Sequence, residues 1–132
     1  MKPIWIVDDD QSIRFVLEKA LAREELAVRS FSSGRDVIAA LATDEPQVLV
    51  SDIRMPGGSG IELLQRIKAS HPALPVIIMT AYSDLDSAVS AFQGGAFDYL
   101  PKPFDVARAI ELIRRALDES LREEVIDTAA AQ

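Results

Sequence analysis

Gln47-Val48-Leu49-Val50-Ser51-Asp52-Ile53-Arg54-Met55-Pro56-Gly57 carries an apolar, partly β-branched run into an acid and then into a turn. Glu45-Pro46 before it and Pro56-Gly57-Gly58 after it bound a short buried strand. Asp52 stands where that strand runs out. A carboxylate turned into the core would lose its hydration at large cost, so Asp52 is expected at the sheet edge, exposed to a cleft. Pro56 and the glycines behind it force a turn that leaves the acid uncovered. On its own such an acid is an ordinary loop residue. The other strand ends decide its meaning.

Working outward, Pro3-Ile4-Trp5-Ile6-Val7 is a second continuous apolar run, and it stops abruptly at Asp8-Asp9-Asp10. Ile13, Val16, Leu17, Ala20 and Leu21 then recur at helical spacing, with Asp10 as the natural N-cap. Residues 27–31 read as a strand, and residues 34–42 as a helix with Val37, Ile38 and Leu41 inward. Beyond Asp52, Ile61, Leu64 and Ile67 mark a helix that His71-Pro72 closes. Leu74-Pro75-Val76-Ile77-Ile78-Met79 is an apolar strand ending at Thr80-Ala81. Ser83 and Asp86 form a capping-box start for a helix over residues 84–93, stopped by Gly94-Gly95. That helix is expected to bury the small Ala88, Val89 and Ala91, with Phe92 as its one large anchor. Residues 96–100 form the last strand, and Lys102 lies just beyond it between two prolines. Val106, Ile110, Ile113 and Leu117 face the last helix inward, and from about Arg122 the pattern fades into a linker or tail.

Buried strands alternating with helices mean an α/β fold: a parallel five-stranded sheet with helices on both faces. Right-handed crossovers favour the flavodoxin-like (βα)5 order 2-1-3-4-5, whose ligands bind beyond the carboxyl ends of the strands.

Composition narrows the function. The chain has 132 residues, 48% of them hydrophobic, enough for one domain with a real core. A net charge of −7 argues against a nucleic-acid surface, which needs clustered Lys and Arg. The absence of cysteine excludes disulfides, thiolate metal sites and thiol catalysis, and suits a cytoplasmic protein. Apolar runs such as Val76-Ile77-Ile78-Met79 are too short to span a bilayer.

The strand ends now read together. Asp8 and Asp9, Asp52, Thr80 and Lys102 all arrive at one edge of the sheet. Each has a bland explanation alone: a solvated lysine, a strand-end hydroxyl, a surface acid. Together they do not. A close carboxylate pair costs on the order of 4 kcal/mol at an effective dielectric near 20, and one lysine does not offset three acids. Either a pKa rises or a cation binds, and hard carboxylate oxygens without His or Cys suit Mg2+. A divalent ion, a lysine and a hydroxyl around one carboxylate make a phosphoryl-transfer site with Asp52 as nucleophile.

The pattern Asp8-Asp9, Asp52 with Met55-Pro56-Gly57, Thr80-Ala81 and Lys102-Pro103 resembles the receiver domain of two-component response regulators. The resemblance spans residues 3 to about 121, so residues 1–121 are expected to be the receiver and 122–132 a linker or tail. Ser51-Asp52-Ile53-Arg54-Met55-Pro56-Gly57, Met79-Thr80-Ala81 and Gly95-Ala96-Phe97-Asp98-Tyr99-Leu100-Pro101-Lys102-Pro103-Phe104 look most like the nitrogen-regulation regulators that activate sigma-54 promoters. The resemblance implies Asp52 as phosphoacceptor from a sensor histidine kinase. It implies a Mg2+ site, open to Mn2+, formed by Asp9, Asp52 and the Arg54 main-chain carbonyl, with Asp8 acting through water. Thr80 and Lys102 would read out the phosphoryl group, and the Lys102–Pro103 peptide would be cis. Thr80, Tyr99 and Tyr82 are the switch candidates, and the helix of residues 84–93 the element they shift. ATPase and DNA-binding output domains of a longer protein, and a phosphorylation-dependent homodimer, are the further partners implied. No membrane contact is expected. Gly57-Gly58-Ser59-Gly60 is richer in glycine than relatives' turns.

Other readings fare worse. An aspartyl-phosphate phosphatase wants a second acid two residues after its nucleophile, where this chain has Arg54; self-dephosphorylation should therefore be slow. A flavin module on this fold needs a Ser/Thr/Gly-rich phosphate loop, and Asp8-Asp9-Asp10 repels phosphate. His71, a lone loop histidine before a proline, is a poor phosphocarrier. A stand-alone or degenerate receiver that only binds proteins is the alternative.

Overall fold

The computed structural model describes residues 2–55, 58–81 and 85–130. In chain order the elements are β1 (Ile4–Val7), α1 (Gln11–Arg23), β2 (Val28–Phe31), α2 (Gly34–Leu41), β3 (Val48–Asp52), β4 (Arg54–Met55), β5 (Gly58–Ser59), α3 (Gly60–Ser70), β6 (Val76–Ala81), α4 (Leu85–Gln93), β7 (Asp98–Lys102) and α5 (Val106–Ala130). Five strands make one parallel sheet in the order β2-β1-β3-β6-β7, the expected 2-1-3-4-5. The two-residue strands β4 and β5 pair antiparallel just after Asp52.

Side-chain alternation along the strands splits the core in two. Ile4, Ile6, Val48, Val50, Ile77, Met79 and Leu100 face α1 and α5, where Leu17, Leu21, Leu112 and Ile113 cover them. Trp5, Val7, Leu49, Val76 and Ile78 face the other way, against Val37, Leu63, Leu64, Ile67 and Ala91. Trp5 packs on Phe31 with ring centroids 5.0 Å apart. The central strands β1, β3 and β6 are buried on both faces, which is why they read as unbroken apolar runs, whereas the edge strands β2 and β7 are only partly buried.

Four expectations need correction. Val106, expected inward on α5, is 40% exposed at the start of that helix. In α1 the inward stripe is Leu17, Ala20 and Leu21, and Val16 is exposed beside Phe15. In α4 Ala91 is fully buried, but Val89 and Phe92 are 47% and 45% exposed. At about 100° per residue the side that Ala91 turns inward leaves its neighbours at 89 and 92 outward. Phe92 instead stands edge-on to Tyr99, with ring centroids 5.5 Å apart. The last strand lies two residues later than expected and includes Lys102, because Ala96 N–H still closes α4 onto the Ala91 carbonyl at 2.9 Å. Pro101 is tolerated within that strand because β7 is a sheet edge. The expected cap at Ser83 lies outside the described residues.

The α5 backbone stays helical through Ala130, past the point where the apolar pattern fades. Where it passes the base of the sheet, Ser120 Oγ meets Gln47 Nε2 at 2.6 Å. Gln47 is 2% exposed, and its Oε1 accepts from the Lys2 main-chain N–H at 3.2 Å. Truncating Gln47 leaves a buried hydroxyl with one partner fewer. Gln47→Ala should lower stability by about 1–3 kcal/mol, read as the urea midpoint at unchanged slope.

Candidate phosphoacceptor and metal site

The register of the sheet builds the site. Val7 pairs with Ser51, so Asp8 and Asp52 leave their strands side by side. Asp52 pairs with Met79, and Thr80 follows one residue on. Ala81 pairs with Lys102. Asp8, Asp52 and Lys102 continue the alternation of Ile6, Val50 and Leu100, so all three project on the α1/α5 side.

Lys102 Nζ lies 2.7 Å from Asp8 Oδ2 and 3.4 Å from Asp52 Oδ1. Asp8 is fully buried; its Oδ1 accepts from the Asp10 main-chain N–H at 2.9 Å, and its own N–H donates to the Phe31 carbonyl at 3.1 Å. Asp10 is the α1 N-cap, as expected, with Oδ1 accepting from Ser12 N–H at 2.9 Å. Asp9 is exposed. Asp52, expected to be exposed, is only 8% so. The β3 backbone runs through Asp52 and Ile53 N–H bonds to the Met79 carbonyl at 3.0 Å, so the sheet still encloses the acid where a loop was expected.

Burial and then the Asp8 carboxylate push the Asp52 carboxyl above its ordinary range, while Lys102 and the Arg54 main chain pull it back. Burial alone would lower the Lys102 ammonium. The hydrogen bond to Asp8 and the charges of both acids outweigh it, and the net shift is upward. Carboxylate oxygens of Asp8, Asp9 and Asp52 all lie within 4.8 Å of one another. Three hard donors, one of them held up in pKa by burial and then by its acidic neighbour, fit a small divalent cation with oxygen ligands.

Thr80 is 1% exposed at the end of β6. Tyr99 is half-buried and shares the opposite sheet face with Ile78 and Thr80 by alternation, away from the acids. Tyr82 lies outside the described residues, as do Pro56 and Gly57. The Lys102–Pro103 peptide is cis.

Two contributors escaped the motif. A Cβ on Gly60 would come within 2.4 Å of the Asp52 carbonyl oxygen and 2.7 Å of the Ile53 Cα. Gly60 N–H also donates to the Ile53 carbonyl at 2.7 Å, holding the start of α3 against the end of β3. The cluster of glycines hinted at a special backbone here but did not say which one touches β3. The second is Arg14, whose guanidinium Nη1 donates to the main-chain carbonyl of Asp8.

This strand-end array has known counterparts. The response regulator receiver domain family matches residues 4–114. The chain belongs to that family. This receiver is 62% identical over 114 residues to the DNA-binding transcriptional regulator NtrC of Salmonella typhimurium, a match covering 86% of this chain and 24% of the relative. The chain thus spans about a quarter of the length of the curated relatives it matches. Among solved structures, the apo receiver domain of nitrogen regulatory protein C superposes with a TM-score of 0.81 at 61% identity, over 89% of this chain and 94% of that one. The BeF3-activated form of that domain gives 0.76 at 60% identity, over 89% and 97%. The likeness to the nitrogen-regulation receivers is borne out.

Two outcomes follow for the site. Gly60→Ala should lower stability by about 1–3 kcal/mol in urea unfolding, because its methyl group meets backbone that has no room to yield. Asp52→Asn should act in the other direction. A carboxyl held up in the folded state favours folding below its ordinary pKa and loses that advantage as pH rises through the folded value. At pH 7 without divalent ions, Asp52→Asn should therefore melt above wild type, the gap closing toward pH 3. A lower melting point at pH 7 would mean that Lys102 more than balances the burial.

Proposed function

We propose that this receiver is a phosphorylation-controlled switch. Asp52 accepts a phosphoryl group from a sensor histidine kinase in a Mg2+-dependent reaction. The switch then regulates an output borne by a longer protein, sigma-54-dependent transcription being the reading its NtrC relatives favour. The observation that carries this is Lys102 Nζ, 2.7 Å from Asp8 and 3.4 Å from Asp52, in a knot of three carboxylates that one ammonium does not neutralise. The residue boundaries 1–121 for the switch and 122–132 for its connection, and a cytoplasmic setting, belong to the same proposal. So do ATPase and DNA-binding output domains and a phosphorylation-dependent homodimer as partners.

In the transfer, an Asp52 carboxylate oxygen bonds to phosphorus while the bond from phosphorus to the donor's imidazole nitrogen breaks and leaves its electron pair on the ring. Asp9, Asp52 and the Arg54 carbonyl would hold a Mg2+ or Mn2+ ion, with Asp8 acting through water; the ion would supply positive charge to the transferring oxygens. Lys102 is already fixed on Asp8, so its ammonium meets the incoming charge with little reorganisation. Arg54 occupies the place where a second acid would activate water, so the aspartyl phosphate should be lost slowly.

The switch reading rests on position. Phosphorylation adds about −1.5 to −2 charge at Asp52. Thr80, one residue past the register partner of Asp52, would turn its hydroxyl toward the new oxygens. Tyr99 shares the Thr80 face and leans on Phe92 of α4, which is half-exposed. Tyr82 is a further candidate beside Thr80. A helix whose described apolar residues Val89 and Phe92 stand half-exposed should shift easily.

Intact mass after incubation with acetyl phosphate checks the chemistry. A single phosphoryl adduct that needs Mg2+ and is absent in Asp52→Asn is the expected result. No adduct under any condition would favour a degenerate receiver that acts by binding alone. In NMR, phosphorylation should move the amides of residues 85–93 and of Tyr99. Stationary amides there would sink the switch account while leaving the phosphoacceptor intact.

A further inference from the structure

The bond from Arg14 to Asp8 reaches backward over six residues, from the first turns of α1 to the end of β1. It ends on a main-chain carbonyl, not on an acid. That carbonyl belongs to the peptide joining Asp8 to Asp9. Every other polar group of Asp8 is already engaged: Oδ2 by Lys102 at 2.7 Å, Oδ1 by Asp10 N–H at 2.9 Å, and its N–H by Phe31 at 3.1 Å. Asp8 is therefore fixed. Asp9 is exposed, and the direction of its carboxylate depends on the plane of the peptide before it. Rotating that plane would swing Asp9 away from Asp8 and Asp52 and open the cluster whose oxygens now lie within 4.8 Å.

We propose that Arg14 is a positioning residue for the divalent-cation site: its half-buried guanidinium locks the Asp8–Asp9 peptide and so aims Asp9 into the acid cluster. This rests on the metal-dependent phosphoacceptor reading above. Arginine suits the task because its planar, permanently charged fork fixes an acceptor in direction as well as distance, whereas a lysine ammonium holds it only as a point charge. Arg14 would contact neither the ion nor the phosphoryl group, since its guanidinium donates to the Asp8 main-chain carbonyl. Like other groups that orient metal ligands from behind, it acts through the residue it holds.

The test follows Mg2+ binding directly, by the amide shifts of Asp9 and Asp10 during titration of the unphosphorylated protein, with urea unfolding in parallel. Arg14→Met keeps most of the apolar stem and its packing on α1 but removes every donor; Arg14→Ala removes both. Each should raise the Mg2+ concentration for half-saturation about tenfold, and Arg14→Lys should recover part of that loss. A purely structural arginine would lower the urea midpoint and leave half-saturation where it was. Wild-type half-saturation in Arg14→Met overturns the proposal whatever happens to stability, and does so even where Arg14→Ala fails to fold. A wild-type protein that shows no Mg2+ response overturns the metal-site reading itself, an outcome distinct from the first.

Discussion

Lys102 holds two acids that arrive from different strands, and most of the molecule is arranged to make that possible. Asp8 has no solvent exposure. Without a counter-charge its ionised form would be very costly, and removing one partner of such a buried pair costs about 3–5 kcal/mol. The lysine must come from β7, at the far side of the sheet from β1, and the parallel register brings it level with the ends of β3 and β6. Right-handed crossovers supply that register by placing helices on both faces. The pair is weaker on the Asp52 side, at 3.4 Å, and there the carboxylate keeps a raised pKa. One acid is held tightly and its neighbour more weakly. The more weakly held one is the proposed nucleophile.

The same asymmetry runs through the packing. On the α1/α5 side, large side chains from both helices cover the sheet and carry the fixed parts of the acid site. On the other side α4 lies against the sheet through Ala91 while Val89 and Phe92 face solvent. Thr80 and Tyr99 share that side. The acids and Lys102 thus lie over the α1/α5 half of the core, and Thr80 and Tyr99 over the other half. In the proposed switch, the reacting groups and the responding helix would be kept on opposite faces of one sheet.

The legibility of this fold in its sequence follows from its strands. The central ones are buried on both faces, so Ile4-Trp5-Ile6-Val7 or Val76-Ile77-Ile78-Met79 appears as an uninterrupted apolar run that stops at a polar group, and those stops lie at the site. The helices were harder. Phe92 and Val16 look like core by residue type, but the turn of the helix decides which apolar residue faces inward; Ala91 and Leu17, expected inward with them, are the ones buried. Asp52 was placed correctly at a strand end but judged too exposed, because the register bond between Ile53 and Met79 carries the sheet past it. Arg14 and Gly60 were invisible as site residues for a different reason. One acts on a carbonyl and the other by lacking a Cβ, and neither a main-chain contact nor an absence of volume leaves a pattern in the letters.

The Gln47–Ser120 hydrogen bond acquires a mechanical meaning once the length of α5 is considered. The helix runs for 25 residues, about 37 Å, and the bond grips it where ten residues still lie ahead. That remainder is a lever of roughly 15 Å with its fulcrum at Ser120. A tilt of about 10° there displaces the tip by roughly 3 Å, and a slip of one residue at the grip turns it by about 100° around its axis. A single buried amide, at the opposite end of the sheet from the acids, thus adds to the packing of Ile113, Ala116 and Leu117 in fixing the bearing and rotational phase of the helical residues that follow it.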